Sequence, residues 1–550
     1  PTFSNLGQFK SDGVTAISEG GTTTESIVVF KAIVNDPDND KAKLQVQIKE
    51  DDQEWQDIME SDFVDSGSEA IITKYGLIEA QYRWRARAAD ERGGMSEWQE
   101  FGTPENVDFE VKIVPLYTQV VSSYPSEEAT RFWFNEYYAR GDIKPYFCGS
   151  RIYQCGCAIT SVVMIARYYD VVDANGKDVN PGEINEWLKN EPGGYLNGDA
   201  NWIAAAKYTG YRIKYEKTDK ITNNYALLDE KLNNNQPVIA KANAGRGGIN
   251  RKHFFVIDDK SASTYTVKDP AWYNTKILNE GISDDAQHIR NYENGFDGLR
   301  IYKKGDGIAQ SAIALALGSP AELLVTDSLG RKLGKDPITG IEYNEIPDAW
   351  YFEDGFDDPT GETPPSQERN KLIQILEPVD GEYNIQVIGT GTGSYTMNLS
   401  VYDETGESKD IAKEGETTTD NIQEFTLGYS AETVEEVEFH KIVDIDIKPG
   451  SDPNTINLKS KGVTPVAILT DEFFDAKDIV LNSIILAGAS PTKGKLEDVD
   501  NDGDLDLILH FETQSLQLIS GDTEATLTGE LKDGTLIEGT DFIRIISTKK

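Results

Sequence analysis

Short runs of alternating apolar and polar residues dominate this chain, and one central stretch breaks the pattern. Ser26-Ile-Val-Val-Phe-Lys-Ala-Ile-Val34 and Leu44-Gln-Val-Gln-Ile48 carry the two-residue period of strands set between polar turns, so residues 1–112 predict an all-β module. Between 113 and 304 a 3.6-residue period enters. Positions 157–169 gather Ile159, Val162, Val163 and Ala166 on one face, 181–188 offer Ile184, Trp187 and Leu188, and 201–208 are rich in Ala, which predicts three helices. Strand patterns follow at 237–242, 253–257 and 265–268, and helices followed by strands predict an α+β domain. Past Gly305 the helical period fades. Strand patterns at 321–326, 383–388 and 395–402 predict a β-sandwich over 305–441, interrupted by a polar loop from 336 to 369 that holds Pro359, Pro364 and Pro365. A last β module over 442–550 follows the acidic stretch 432–438 and includes strand patterns at 463–469 and 505–511.

The length fits this division, because 550 residues exceed what one core organises and imply about three to five domains. With 53 basic and 94 acidic residues the net charge is −41, which speaks against nucleic acid or an anionic membrane as a partner and in favour of cations. A hydrophobic content of 38%, with 25 Tyr and 8 Trp to bury, separates the chain from disordered acidic polymers. No run reaches the roughly 20 apolar residues of a membrane span. The start at Pro1, without Met or a leader pattern, is expected of a processed, secreted protein.

Chemistry concentrates in the central domain, in Gly156-Cys-Ala-Ile-Thr-Ser-Val-Val-Met164, His253-Phe-Phe-Val-Ile-Asp258 and Val267-Lys-Asp-Pro270. A helix starting at Cys157 would place the sulfur where unpaired N–H groups and the helix dipole favour a thiolate. A His on a neighbouring strand could pair with that thiolate, and Asp269 could orient its ring. Of the four His, at 253, 288, 440 and 510, only His253 and His288 share the domain of the Cys.

These strings resemble the bacteriocin-processing peptidases, the thirty-ninth cysteine-peptidase family, and more closely its secreted relatives, which have a papain-like fold. Gly156-Cys-Ala-Ile-Thr-Ser161 corresponds to that family's nucleophile string, His253 to its strand-leading His, and Asp269-Pro270 to its Asp-Pro. Pro115-Leu-Tyr-Thr-Gln119, 38 residues ahead of Cys157, corresponds to its Pro-aromatic-x-Gln motif. The resemblance implies Cys157 as nucleophile, His253 as general base and acid, Asp269 as orienter and Gln119 as oxyanion donor. Ala158 and Ile159 replace the usual Gly-Pro, and the transporter segments of the leader-processing members are missing, so their double-glycine specificity does not carry over. Cys148 and Cys155 are expected to close a small disulfide beside the site, with two unpaired thiols as the alternative; a Cys155–Cys157 bridge is disfavoured by its Cβ spacing. Residues 82–98 resemble the late strands of fibronectin type III and immunoglobulin-like sandwiches, in which a Trp fills the core.

In the last module, Asp498-Val-Asp-Asn-Asp-Gly-Asp-Leu-Asp506 spaces carboxylates at Asp498, Asp500, Asp502, Asp504 and Asp506 around a glycine. Hard cations take six to eight oxygens, so this loop predicts structural Ca2+, with a backbone carbonyl from Asp504. Leu509 stands where an EF-hand has Glu, and the loop is similar to calcium loops of secreted β-proteins. Asp36, Asp38 and Asp40 form a weaker second candidate that is also an ordinary turn.

The expected protein is a secreted or cell-surface prokaryotic one, a papain-like α+β domain with all-β sandwich modules on both sides. It would hydrolyse peptide or isopeptide bonds in a peptide or protein substrate. The rival reading is a calcium-stabilised surface-layer, sheath, filament or adhesin subunit that assembles through its β modules and keeps an inactive papain-like domain.

Overall fold

The computed structural model describes residues 1–120, 133, 136–139, 148–173, 175–243, 251–261, 263–272, 275–278, 292, 294–318, 320–359, 363–364 and 369–546. The chain is multidomain and mostly β, with helices concentrated in its central segment. It forms two compact units: Pro1–Gly194, Trp202–Ile308 and Gly355–Gln367 make the first, and Tyr195–Asn201, Ala309–Asp354 and Glu368–Lys550 the second. Among the described residues no helix is long and apolar enough to cross a membrane.

The first unit begins with two sheets. Thr2–Phe9, Val28–Asn35 and Ser68–Lys74 form one, and the other is built mainly from Ala42–Glu50, Ala80–Asp90 and Phe109–Val111. Alternation along Ala80–Asp90 turns Tyr82, Trp84, Ala86 and Ala88 inward, because successive strand side chains face opposite ways. Trp84 is the core tryptophan. Its ring centroid lies 4.5 Å from that of Phe30, and its indole N–H donates to Gln8 Oε1 at 2.9 Å, so the one polar atom of the ring is paired on burial. Trp98 instead lies partly exposed, with the guanidinium groups of Arg85 and Arg87 at 4.9 and 4.5 Å from its ring centre.

Among the described residues, the central segment places an antiparallel sheet beside five helices. The strand order is Ile213–Asp219, Gly298–Lys304, Val238–Asn243, Lys252–Ser261, Thr264–Lys268. The helices are Ile152–Cys155, Cys157–Tyr168, Pro181–Asn190, Trp202–Tyr208 and Tyr225–Asn233. Local chemistry fixes their starts: Asn180 accepts the Glu183 N–H at 3.0 Å with Pro181 in the first turn, and Asn224 accepts that of Leu227 at 3.3 Å. The Cys157–Tyr168 helix is buried around nearly its whole circumference and packs against the Lys252–Ser261 strand.

The loop expected from 336 to 369 is corrected in the structure. Ile341–Asn344 and Ala349–Asp354 are strands, the second pairing with Asn370–Leu376. Its Ala349-Trp-Tyr-Phe core was masked by the acidic and proline-rich residues around it. The chain then contributes Gly355–Gln367 to the first unit. There Phe356 sits edge-on to Tyr138 and Phe254, with centroids 5.7 and 6.2 Å away. The Asp357 N–H donates to the Lys252 carbonyl at 2.8 Å, the Lys252 N–H donates to Asp357 Oδ2 at 2.7 Å, and Arg251 donates to the carbonyls of Asp358 and Thr363 at 2.7 and 3.0 Å.

The second unit holds two apolar cores. One gathers Leu315, Leu323, Ile373, Ile385 and Leu399; the other gathers Val466, Ile468, Leu509, Phe511 and Leu527. A nine-stranded sheet runs through both regions, joined where Glu438–Ile442 pairs in parallel with Leu536–Phe542.

Candidate active site

Four segments of the first unit carry the candidate residues. Gly156 ends the short Ile152–Cys155 helix and caps the Cys157–Tyr168 helix, so the sulfur-bearing residue opens a first turn. A Cβ at Gly156 would lie 2.7 Å from the Ile152 carbonyl oxygen and 2.6 Å from its Cγ2, so only glycine fits this junction. Cys148 and Cys155 form a disulfide, and Cys157 carries none.

His253 is the second residue of its strand, and Asp269 follows the Thr264–Lys268 strand beside it. The imidazole Nε2 lies 2.9 Å from Asp269 Oδ1, both side chains being buried. The same oxygen accepts the backbone N–H groups of Ala271 at 2.9 Å and Trp272 at 2.8 Å, while the Tyr292 hydroxyl donates to Oδ2. Burial alone would raise the Asp269 pKa. The charge and hydrogen bond of His253, with the donors from Trp272 and Tyr292, outweigh that and hold it below the ordinary carboxylate value. Trp272 packs edge-on against the His253 ring at 4.7 Å between centroids.

Gln119 ties these segments to each other. Its backbone N–H donates to the Pro270 carbonyl at 2.9 Å, next to Asp269, and its side-chain Nε2 donates to the Tyr153 carbonyl at 3.0 Å, four residues ahead of Cys157. One hydrogen of that amide is left for another acceptor. His253 Nδ1 is buried without a hydrogen-bond partner, so Asp269 and His253 are joined while no hydrogen bond links His253 to the Cys157 sulfur. All four side chains are buried: Gln119 and Cys157 at 0% exposed, His253 at 1% and Asp269 at 0%. His288 lies outside the described residues. Tyr292 carries no sequence signal, since it sits in the polar run Asn291-Tyr-Glu-Asn294 that reads only as a turn.

In the C-terminal module, Asp498, Asp500 and Asp506 each offer an oxygen within 4.8 Å of the others. The Asp502 and Asp504 carboxylates are not part of this group. Asn501 and Gly503 have positive φ, 66° and 105°, and the loop folds so that Asp502 Oδ1 accepts the Asp504 N–H at 2.9 Å. Asp506 is buried and accepts N–H groups from Thr470 at 2.9 Å and Val499 at 2.8 Å. Asp498 Oδ1 is buried with no hydrogen-bond partner, and Asp500 has its pKa raised by desolvation and then by the charges of Asp502 and Asp506. An unpaired acceptor among mutually repelling carboxylates fits a hard divalent cation. Asp36, Asp38 and Asp40 also cluster, but Asp36 Oδ1 accepts the N–H groups of Asp38 and Asp40 at 2.9 and 3.3 Å, and Asp40 pairs with Arg92, as an ordinary turn does.

Residues 137–295 match the model of the Peptidase_C39 like family. No curated protein matches the chain. Solved structures aligned with it include a red sea bream transglutaminase, at 9% identity and TM-score 0.16 over 100% of both chains. A tetra-tandem repeat from the extending region of a large adhesion protein aligns at 8% identity and TM-score 0.11, over 96% of this chain and 98% of that one. A Parabacteroides merdae β-glucuronidase aligns at 8% identity and TM-score 0.13, over 98% and 78%. At such scores these likenesses carry no argument about fold or function.

Proposed function

We propose that the central domain is a cysteine peptidase that hydrolyses a peptide or isopeptide bond through Cys157, His253, Asp269 and Gln119. The observation that carries this reading is the bond between His253 Nε2 and Asp269 Oδ1, which leaves Nδ1 as the free ring nitrogen in a domain whose C39-like match includes Cys157. In the reaction the Cys157 sulfur would attack the carbonyl carbon as its proton passes to His253 Nδ1. The developing oxyanion would take the remaining Gln119 N–H, and the imidazolium would protonate the leaving amine. Water, deprotonated by the same imidazole, would then cleave the thioester and restore the thiol. Because Nδ1 and the sulfur are not hydrogen-bonded in the resting enzyme, substrate entry would have to draw them together, as catalytic contacts commonly tighten on binding.

Thiol labelling tests this. Iodoacetamide should modify Cys157 near neutral pH much faster than an ordinary thiol, with labelling lost in Cys157→Ser and slowed in His253→Ala. Labelling at the rate of a denatured chain would sink the proposal.

The complete burial of the four side chains favours a second reading, in which the domain is an inert part of an extracellular assembly subunit. Under either reading the protein is proposed to be secreted, with Ca2+ at Asp498, Asp500 and Asp506 tying loop to strand. The β modules, proposed as fibronectin-type or immunoglobulin-like, would make surface or self-assembly contacts.

A further inference from the structure

Asp269 has more donors than a triad needs. Oδ1 receives His253 Nε2 and the N–H groups of Ala271 and Trp272, all from its own turn or the neighbouring strand. Oδ2 receives the Tyr292 hydroxyl, which comes from a different part of the chain. Tyr292 is 1% exposed, and its ring stacks on Phe255 with centroids 4.3 Å apart and planes 18° apart. Phe255 lies two residues beyond His253 on the same strand and therefore on the same face. One tyrosine thus touches the carboxylate that holds the imidazole and the strand that carries it.

We propose that Tyr292 is a positioning residue for the peptidase site: by occupying Asp269 Oδ2 it fixes the rotation of the carboxylate, so that Oδ1 faces His253 and Nδ1 is presented to the sulfur. The inference rests on the peptidase reading for its catalytic meaning, though not for its geometry. Without the hydroxyl, Oδ2 becomes a buried acceptor with no donor, and the carboxylate gains by turning toward other donors. If the carboxylate stays ionised with one donor fewer, it holds the imidazolium proton more tightly.

The test uses the full chain and two variants. Tyr292→Phe keeps the stacked ring and removes the hydroxyl; Phe255→Leu removes the stack and keeps the hydroxyl. The readouts are the pH profile of Cys157 alkylation by iodoacetamide and the 15N imidazole signal of His253, assigned against His253→Gln. Tyr292→Phe should lower the rate about tenfold, a part of the 10²–10⁴ that a positioned acid–base pair contributes. It should also move the alkaline limb of the profile upward and change the Nε2–H signal. Phe255→Leu should leave the limb in place even where it lowers thermal stability. A Tyr292→Phe profile and spectrum identical to the parent's, or the same displaced limb in Phe255→Leu, would overturn the positioning role. If the parent itself alkylates no faster than a denatured chain, the peptidase reading fails; the positioning role is then judged on the imidazole signal alone, which supports it if Tyr292→Phe changes the signal and overturns it if not.

Discussion

Lys10 and Asp259 form an ion pair at 3.2 Å in which both side chains are almost fully buried, at 8% and 4% exposed. It joins the N-terminal β module to the strand that carries His253, within the first unit. Removing one partner of such a pair strands the other charge away from water, at a cost of about 3–5 kcal/mol. Lys10→Met should therefore lower the first calorimetric transition, and Lys10→Met with Asp259→Leu should recover much of the loss. A double variant no more stable than the single one would show that the pair is not the cause.

Glu25 lies beside this pair. Burial first, and then the Asp259 charge, raise its pKa from 4.5 to about 7. The folded chain thus holds a proton between those values that the unfolded chain has released, so this group's contribution to stability falls as pH rises from about 4.5 and is fully lost above about 7. Glu25→Gln should melt close to the parent at pH 4.5 and above it at pH 8. Parallel melting curves across that range would contradict the assignment.

Asp269 works in the opposite direction. With its pKa held below 3.8 in the fold, its contribution is present above that value and disappears as pH falls through the lowered one. Cys157 labelling should accordingly not be limited by Asp269 in mildly acidic solution. Asp269→Asn can present an amide N–H where an acceptor is needed, which favours the wrong His253 tautomer, and should cut labelling by roughly 10²–10⁴-fold with the fold retained. Circular dichroism alongside the labelling rate separates this from unfolding.

Two aspartates of the C-terminal loop, Asp500 and Asp506, should differ. Asp506 holds the backbone of Thr470 and Val499, so Asp506→Ala should lower the melting temperature of this module with or without calcium. Asp500 is exposed, and its side chain accepts only the Asp502 N–H at 3.2 Å, so Asp500→Ala should matter only when calcium is present. Calorimetry with calcium and with a chelator distinguishes them. A parent that melts identically in both buffers would remove calcium from the account.

Much of the candidate site could be read from short strings. His253 leads a strand pattern and Asp269 precedes a proline, and the bond between them needs only adjacent strands. Gln119 was visible through its motif, but not its two ties to Pro270 and Tyr153, which depend on how distant segments pack. Tyr292 was invisible because a buried tyrosine inside a polar run has no period to announce it. The Ala349–Asp354 strand was hidden for a related reason: composition averaged over 336–369 is polar, while the six residues that matter are largely buried. In the C-terminal loop the alternating aspartates spell out all five candidate positions, while the grouping of Asp498, Asp500 and Asp506 depends on how the loop folds, with positive φ at Asn501 and Gly503.

The excursion of Gly355–Gln367 into the first unit bears on how the central domain can be isolated. A recombinant fragment ending at Lys304 would lack Phe356, leaving bare the aromatic surface of Tyr138 and Phe254. It would also strip from Arg251, which precedes the Lys252–Ser261 strand and stands two residues before His253, both carbonyls that grip it. Such a fragment should be prone to clump in solution, and supplying the missing stretch as a peptide, or splicing it back through a short linker, is the way to an excised domain that behaves.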